Sequence, residues 1–230
     1  MSEPVPPVEP AEGWAVLHLF CTVGPAADGE AVASAVKQAE AGEHQVVPFA
    51  VLGHKADLGF MALGPDLWRL HSFQRDVQDA GLSLADSYLS LTEVSEYAAG
   101  VPEKARRARL YPTLPPEGMP AFCFYPMSKR RDVGRNWYTL PYEERLELMY
   151  AHGRVGRTFA GRVLQLVTGS TGIDDFEWAV SLFAVRPDDL KECVHTMRFD
   201  AASAHYAEFG PFVTGLIAPL AEVLRRVGLG

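Results

Sequence analysis

The chain has 230 residues, a formal net charge of −8 and a hydrophobic content of 48%. This composition is typical of a globular protein, and a chain of this length can bury a substantial core as one large or two small domains. The acidic balance and the lack of a long basic run argue against nucleic acid as a partner, because phosphate binding needs clustered lysine and arginine.

No apolar stretch reaches the roughly 20 residues that a bilayer span requires, so no membrane span is expected. Residues 1–11 are rich in proline and glutamate and are interpreted as a disordered tail without the features of a signal peptide. The expected location is therefore the cytoplasm. Cys21, Cys123 and Cys193 are widely spaced, which is typical of reduced, buried thiols and not of a disulfide framework or a zinc site.

The first half, residues 12–99, is predicted to have the element order β-α-β-β-α-β. Its strands are predicted over residues 14–20, 46–52, 58–63 and 83–97. Its helices are predicted over residues 28–42 and from about residue 64 onward. Residues 100–120 carry five prolines and two glycines, which predicts a connector without regular structure.

The second half, residues 121–230, is predicted to repeat this order. Its strands are predicted over residues 121–126, 163–168, 176–184 and 203–214, and its helices over residues 141–155, 187–196 and 216–227. A four-stranded sheet with helices on one side leaves an apolar face exposed. We therefore expect an α+β fold in which two tandem ferredoxin-like halves fuse into a dimeric α+β barrel.

A basic segment follows the strand predicted at residues 121–126. It contains Lys129, Arg130, Arg131 and Arg135, and Arg109 lies upstream. Such positive charge in an acidic chain is suited to a hydrophobic ligand that bears carboxylates, because both side-chain types form charge-assisted hydrogen bonds with them. A solvated basic loop accounts for the same residues equally well.

His152 lies near the C-terminal end of a predicted helix, with Leu148 and Met149 on neighbouring faces. A histidine there is suited to axial ligation of a metal, but it is also common as a surface residue or a hydrogen-bonded core residue. Met127 and Met149 are typical gap-filling core residues, and Tyr125 by itself is typical of a buried structural tyrosine. The residues alone leave these alternatives open.

Several motifs in this chain together resemble the coproheme decarboxylases of the chlorite dismutase superfamily. They are Gly53-His-Lys-Ala-Asp57, Tyr125-Pro-Met-Ser-Lys129-Arg-Arg, Asn136-Trp-Tyr, Met149-Tyr-Ala-His152-Gly-Arg, Gly172-Ile-Asp-Asp-Phe-Glu-Trp178 and Met197-Arg-Phe-Asp-Ala-Ala-Ser203. The match spans most of residues 12–217. The resemblance implies a homopentamer of fused barrels that converts iron coproporphyrin III into haem b with hydrogen peroxide.

The resemblance also implies roles for individual residues. His152 matches the proximal iron ligand, Tyr125 the redox-active tyrosine, and Gln165 the residue on the distal side of the iron. The implied substrate contacts are Arg109, Tyr125, Pro126, Met127, Ser128, Lys129, Gln165, Arg198 and Ser203, and Lys129 is also implied in catalysis. The tyrosyl radical is expected to take a hydrogen atom from the β-carbon of a propionate. A transient contact with a coproporphyrin ferrochelatase is a further expectation.

Two features depart from the family pattern. The segment between Arg109 and Tyr125 is slightly longer, and His205 stands where an arginine is more usual. Chlorite dismutases use a distal arginine, and Gln165 occupies that place here, so chlorite chemistry is not expected.

The alternatives are a haem-binding or haem-transfer protein without decarboxylase activity, and a dye-decolourising-type peroxidase, whose distal Asp and Arg pair is not evident in this sequence.

Overall fold

The computed structural model describes residues 5–98 and 100–230, so residues 1–4 of the predicted tail and residue 99 lie outside it. The strands within these ranges are β1 (Ala15–Val23), β2 (Gln45–Leu52), β3 (Leu58–Gly64), β4 (Leu82–Thr92), β5 (Ala121–Lys129), β6 (Arg131–Asp132), β7 (Arg135–Asn136), β8 (Val163–Gly169), β9 (Trp178–Ala184), β10 (Ala207–Phe209) and β11 (Val213–Ile217). The helices are α1 (Gly29–Ala39), α2 (Leu67–Asp79), α3 (Glu103–Leu110), α4 (Tyr142–Arg157), α5 (Pro187–Met197), α6 (Ala201–Tyr206) and α7 (Leu220–Arg226). One 3₁₀ turn spans Trp137–Thr139.

Capping aspartates start the two helices of the first half. The Asp28 carboxylate accepts hydrogen bonds from the backbone N–H groups of Glu30 and Ala31, at 2.9 and 3.2 Å. Asp66 accepts one from Trp68 N–H at 3.0 Å. Val8, within the predicted tail, also bonds to this region, because its carbonyl accepts from the N–H of Leu67 at 3.0 Å.

The principal sheet is antiparallel, and its strand pairing closes on itself. In the first half the order of neighbours is β2-β3-β1-β4, and in the second half it is β11-β5-β9-β8. Strand β11 pairs with β2 and β4 pairs with β8, which joins the two sets at both edges. Strand β10 adds to the end of β5, and β6 and β7 form a separate small hairpin.

Three apolar clusters fill this architecture. One lies between α1, α2 and the outer face of the first half's strands. A second takes residues from the strands of both halves, including Phe49, Phe122 and Phe183, and is enclosed by the sheet. The third lies on the outer face of the second half, where Cys123 and Tyr125 pack with residues of α5. Alternation along β5 therefore directs every second residue to the helix-covered face.

Two sequence predictions were wrong. Residues 103–110, predicted as irregular connector, form helix α3, because the prolines flank this segment and its Glu, Lys, Ala, Arg and Leu residues favour helix. The strand predicted over residues 203–214 is instead helix α6 followed by β10 and β11. Asp200 caps α6 by accepting from Ser203 N–H at 3.1 Å.

Other elements agree with prediction apart from their ends. The strand predicted over residues 83–97 ends at Thr92, and the last helix begins only at Leu220. Cys21, Cys123 and Cys193 are free and buried. Among the described residues, no helix combines the length and apolarity needed to cross a bilayer.

Candidate active site

Strand β5 positions the central residues of the candidate site. Its alternation projects Tyr125, Met127 and Lys129 from the outer face, which helices α5 and α6 cover. Pro126 and Ser128 occupy the intervening positions. Ser128 Oγ accepts a hydrogen bond from Glu177 N–H at 3.2 Å, so this hydroxyl supports the loop before β9.

Tyr125 is buried among aromatic side chains. Its ring stacks on Phe212, with centroids 4.4 Å apart and planes inclined by 25°, and lies 5.6 Å from the ring of Phe209. Burial raises the pKa of the Tyr125 phenol well above its usual value, and the positive charge of Arg198 acts in the opposite direction. The phenol is therefore protonated at neutral pH, and its oxidation has to release a proton.

The first half of the chain also contacts this aromatic group. Lys55, in the turn between β2 and β3, donates a hydrogen bond to the backbone carbonyl of Phe212. This turn is held by Asp57, whose carboxylate accepts from Val23 N–H at 2.8 Å. The motif at residues 53–57 thus supports the segment that stacks on Tyr125.

Lys129 is a buried ammonium group, with only 7% of the residue exposed. Its Nζ lies 4.3 Å from the centroid of the Trp137 ring and 3.5 Å from the carbonyl oxygen of Ala202. Burial lowers the pKa of Lys129 to about 8, against the opposing effect of the Asp200 and Glu177 carboxylates. Within residues 5–98 and 100–230, no carboxylate oxygen lies within 4.0 Å of Nζ. A buried cation without a close counter-ion favours an anionic ligand.

His152, on α4, forms a hydrogen-bonded pair with Asp200. The distance from His152 Nδ1 to Asp200 Oδ2 is 3.0 Å, and Ser203 Oγ lies 3.4 Å from the same nitrogen. Burial alone raises the pKa of Asp200, but hydrogen bonding and charge from His152, together with bonds from Ser203, outweigh burial and hold it below its usual value. Because Nδ1 is engaged in this pair, Nε2 is the nitrogen suited to ligate a metal.

Gln165 and Arg198 lie on neighbouring elements. Gln165 Nε2 donates a weak hydrogen bond to the Sγ of Cys193 on α5, at 3.6 Å. Gln165 also lies against α4, since a Cβ atom on Gly156 would stand 3.3 Å from its Nε2. Arg198 ends helix α5 and places its guanidinium carbon 4.9 Å from the centroid of Phe209.

The structure brings most predicted site residues together. Lys129, His152 and Ser203 meet around the start of α6. Tyr125 and Arg198 both contact Phe209. Gln165 contacts Cys193, which belongs to the same apolar cluster as Tyr125. Arg109 does not join them, because it is exposed on α3. The last residue of that helix, Leu110, accepts a hydrogen bond from Thr92 Oγ1 at the end of β4.

Sequence reasoning missed several residues of this site. They are Trp137, Glu177, Cys193, Asp200, Phe209 and Phe212. Asp200 carries a local signal, because it precedes Ala-Ala-Ser as a helix cap would. The contacts of the others are between distant segments, such as the 2.7 Å bond from Lys129 N–H to Glu177 Oε2, and local patterns do not reveal such pairs.

Two grooves lie elsewhere on the molecule. One has a volume of about 740 Å³ and lies between α1, the loop at residues 115–120 and the start of α7. The other, of about 310 Å³, lies beside α2. Neither is lined by a residue of the candidate site, so neither overlaps it.

Comparisons with known proteins place the chain in a family. The family model for chlorite dismutase matches residues 26–218. The chain is 38% identical to the coproheme decarboxylase of Staphylococcus saprophyticus subsp. saprophyticus, in an alignment that covers 91% of this chain and 93% of that protein. It is also 38% identical to the coproheme decarboxylase of Staphylococcus carnosus, with 92% and 94% covered.

Solved structures give the same result. A heme-binding protein from Thermus thermophilus superposes with a TM-score of 0.85 at 35% identity, covering 99% of this chain and 100% of that one. A chlorite dismutase variant from Candidatus Nitrospira defluvii superposes with a TM-score of 0.74 at 21% identity, covering 95% and 96%, and at that identity it supports the fold alone. The family predicted from the motifs is confirmed: the chain belongs to the chlorite dismutase family.

Proposed function

We propose that this protein is a coproheme decarboxylase, an oxidoreductase that converts iron coproporphyrin III into haem b by peroxide-dependent decarboxylation of two propionates. The observation that carries the proposal is the buried ammonium of Lys129, without a carboxylate within 4.0 Å among the described residues, beside the His152–Asp200 pair and the buried phenol of Tyr125. The identity of 38% to curated coproheme decarboxylases supports it.

The donor set fits a tetracarboxylate porphyrin. Lys129 and Arg198 are cationic and Ser203 is a neutral hydroxyl donor, and an anionic propionate in an apolar site requires such partners. His152 Nε2 is the proposed iron ligand, oriented by Asp200. Arg109, Pro126, Met127 and Ser128 remain proposed contacts on the strength of their positions in the family motifs.

Tyr125 is the proposed redox residue. When bound, the iron of the porphyrin supplies the centre that peroxide oxidises. Tyr125 then loses an electron and its phenolic proton, and its oxygen takes a hydrogen atom from the β-carbon of a propionate held by Lys129. Release of carbon dioxide and a second electron leaves a vinyl group. Each propionate thus gives up two electrons, and one peroxide accepts them as it is reduced to water.

Gln165 has a different role from Tyr125. An amide side chain has no titratable proton, so it is a poor general base, but it donates and accepts hydrogen bonds. We assign it to orienting peroxide or a propionate. Its substitution is expected to slow the reaction less than that of Tyr125.

We also propose that the chain consists of two ferredoxin-like halves, residues 12–99 and 121–230, joined by residues 100–120 and fused into a barrel. Support comes from the strand order, which is the same in both halves when their strands are numbered along the chain. A homopentamer in the cytoplasm, with transient contact to a coproporphyrin ferrochelatase, completes the proposal. Native mass spectrometry tests the pentamer directly.

A haem-binding protein without decarboxylase activity is the second candidate, favoured by the similarity to the heme-binding protein from Thermus thermophilus. One experiment separates the two. Iron coproporphyrin III is added to the protein, followed by peroxide in steps, and the porphyrin is analysed by mass spectrometry. Two successive losses of one carboxyl group support the decarboxylase. A complex that forms but keeps all four carboxylates contradicts it and supports the second candidate.

A further inference from the structure

Glu177 is a buried acidic residue that the proposed reaction does not use. It precedes β9, and only 7% of its surface is exposed. Its Oε2 accepts a hydrogen bond from Lys129 N–H at 2.7 Å. Its own N–H lies 3.2 Å from Ser128 Oγ and 3.1 Å from the carbonyl oxygen of Met127. One residue therefore holds three consecutive positions of the strand that presents the candidate catalytic groups.

The 3₁₀ turn after the basic hairpin also contacts Glu177. Burial, followed by a hydrogen bond to Glu177 and its charge, raises the pKa of the Tyr138 phenol. Glu177 thus connects the end of β5 with the segment that carries Trp137, whose ring covers the Lys129 ammonium at 4.3 Å.

Hydrogen bonding alone does not explain a carboxylate at this position. An amide oxygen accepts a backbone N–H equally well, and burying a negative charge is costly unless a nearby positive charge or hydrogen bonds compensate it. The charge that faces Glu177 is the ammonium of Lys129, whose own burial its carboxylate partly offsets. Glu177 lies beyond 4.0 Å from the ammonium, so it offsets only part of the cost of burying Lys129 and leaves that cation able to bind an anionic ligand.

We propose that Glu177 is a positioning residue for Lys129, which fixes the end of β5 through the backbone and keeps the side chain charged for a substrate carboxylate. This inference rests on the proposed function, because it assigns Lys129 to a propionate. It gives the motif at residues 172–178 a role that the family resemblance did not supply.

The groups that face Lys129 come from each element packed against it. Glu177 approaches from the start of β9 and Asp200 from the start of α6, and the carbonyl of Ala202 and the ring of Trp137 complete the surroundings. Asp200 has the larger opposing effect on the pKa of Lys129, and Glu177 the smaller. Removal of the Glu177 charge is therefore expected to shift the titration of Lys129 without abolishing its charge at low pH.

The test is the pH dependence of iron coproporphyrin III binding, measured by absorbance from about pH 6 to about pH 10. Glu177→Gln retains an oxygen for the Lys129 N–H and removes the charge. We expect affinity to fall at a lower pH than in the unsubstituted protein, because the Glu177 charge raises the pKa of Lys129. In a Lys129→Gln background, the same substitution should leave the pH profile unchanged. Glu208→Gln is the matched control, because Glu208 is exposed and lies opposite Ser128 in strand β10.

If Glu177→Gln does not fold, Glu177→Asp is the variant to measure. It retains the charge, so its pH profile should match that of the unsubstituted protein even if turnover falls. A Glu177→Gln profile identical to that of the unsubstituted protein, or a displaced profile for a folded Glu177→Asp, overturns the inference. If the unsubstituted protein does not bind the porphyrin at all, the proposed function fails instead, so the two failures are distinguishable.

Discussion

The first strand of each half shows how one framework supports two purposes. Strands β1 and β5 both have nine residues and both begin with alanine. The fifth position is Leu19 in β1 and Tyr125 in β5, and each side chain lies in the apolar cluster under the helices of its own half. The ninth position is Val23 in β1 and Lys129 in β5. The first half uses these positions for packing, whereas the second half places oxidisable and charged groups there.

The helices that follow these strands differ in the same way. Helix α1 buries four residues against the sheet: Val32, Ala35, Val36 and Ala39. Helix α4 is longer, with 16 residues, and none of them is fully buried. It carries His152 on a half-buried face. A helix that packs this loosely is suited to share its inner face with a ligand, which supports the proposal that the second half binds the porphyrin.

The largest expected effect is that of Tyr125→Phe. This substitution removes only the phenolic oxygen, so iron coproporphyrin III should still bind, but no haem b should form, because a phenylalanine ring is not oxidised under these conditions. Product is measured by mass spectrometry after addition of peroxide. Turnover near the rate of the unsubstituted protein would remove Tyr125 from the mechanism.

The matched control is a tyrosine that contributes to packing. Tyr88, on β4 in the first half, is buried, and its hydroxyl lies 2.6 Å from Ser170 Oγ. Tyr88→Phe should lower the free energy of unfolding by about 1 kcal/mol through the lost hydrogen bond. It should leave haem b formation intact, which would confine the redox role to the second half.

The second effect concerns His152→Ala. Loss of the imidazole should weaken binding of iron coproporphyrin III and change the Soret absorption of the complex, because the axial ligand sets the electronic state of the iron. His71→Ala, on an exposed position of α2, should change neither. An unchanged Soret band in the His152 variant would mean that another residue ligates the iron.

Lys129→Gln should have a smaller effect that depends on pH. The pKa of Lys129 is lowered to about 8, so its ammonium is present below that pH and lost above it. Affinity for iron coproporphyrin III should therefore fall as the pH rises through this value in the unsubstituted protein. Lys129→Gln should bind about tenfold more weakly at neutral pH, with a flatter profile, while Lys37→Gln on α1 should behave as the unsubstituted protein. A Lys129→Gln profile as steep as that of the unsubstituted protein would assign the titration to another group.

The sequence was sufficient for the parts of the fold that rest on local patterns. The apolar run from Ala121 and the apolar stripes of α1 and α2 each predict an element from its own residues, and those elements form. The proline content led to a wrong prediction for residues 103–110. A helix forms there because Pro102 precedes it and Pro112 follows it, so no proline interrupts its interior. Proline spacing was the better signal there.

The candidate site was predictable only through its motifs. Tyr125, Lys129 and His152 stand in recognisable segments, but their partners come from elsewhere in the chain. Asp200 is 48 residues from His152, and Glu177 is also 48 residues from Lys129. Pairing across such separations is decided by how strands and helices stack, and a single sequence carries no local signal of it. The electrostatics of the site therefore required coordinates.

The smallest expected effect tests the packing difference between α1 and α4. Val36, on α1, is 4% exposed, whereas Val155, on α4, is only partly buried. Both Val36→Ala and Val155→Ala remove the same atoms and gain the same helix propensity, so the difference between them reports burial. In chemical denaturation without ligand, Val36→Ala should lower the free energy of unfolding by about 1–3 kcal/mol, and Val155→Ala by less than about 1 kcal/mol. Equal losses would show that α4 packs as tightly as α1 and leaves no inner face for a ligand to share.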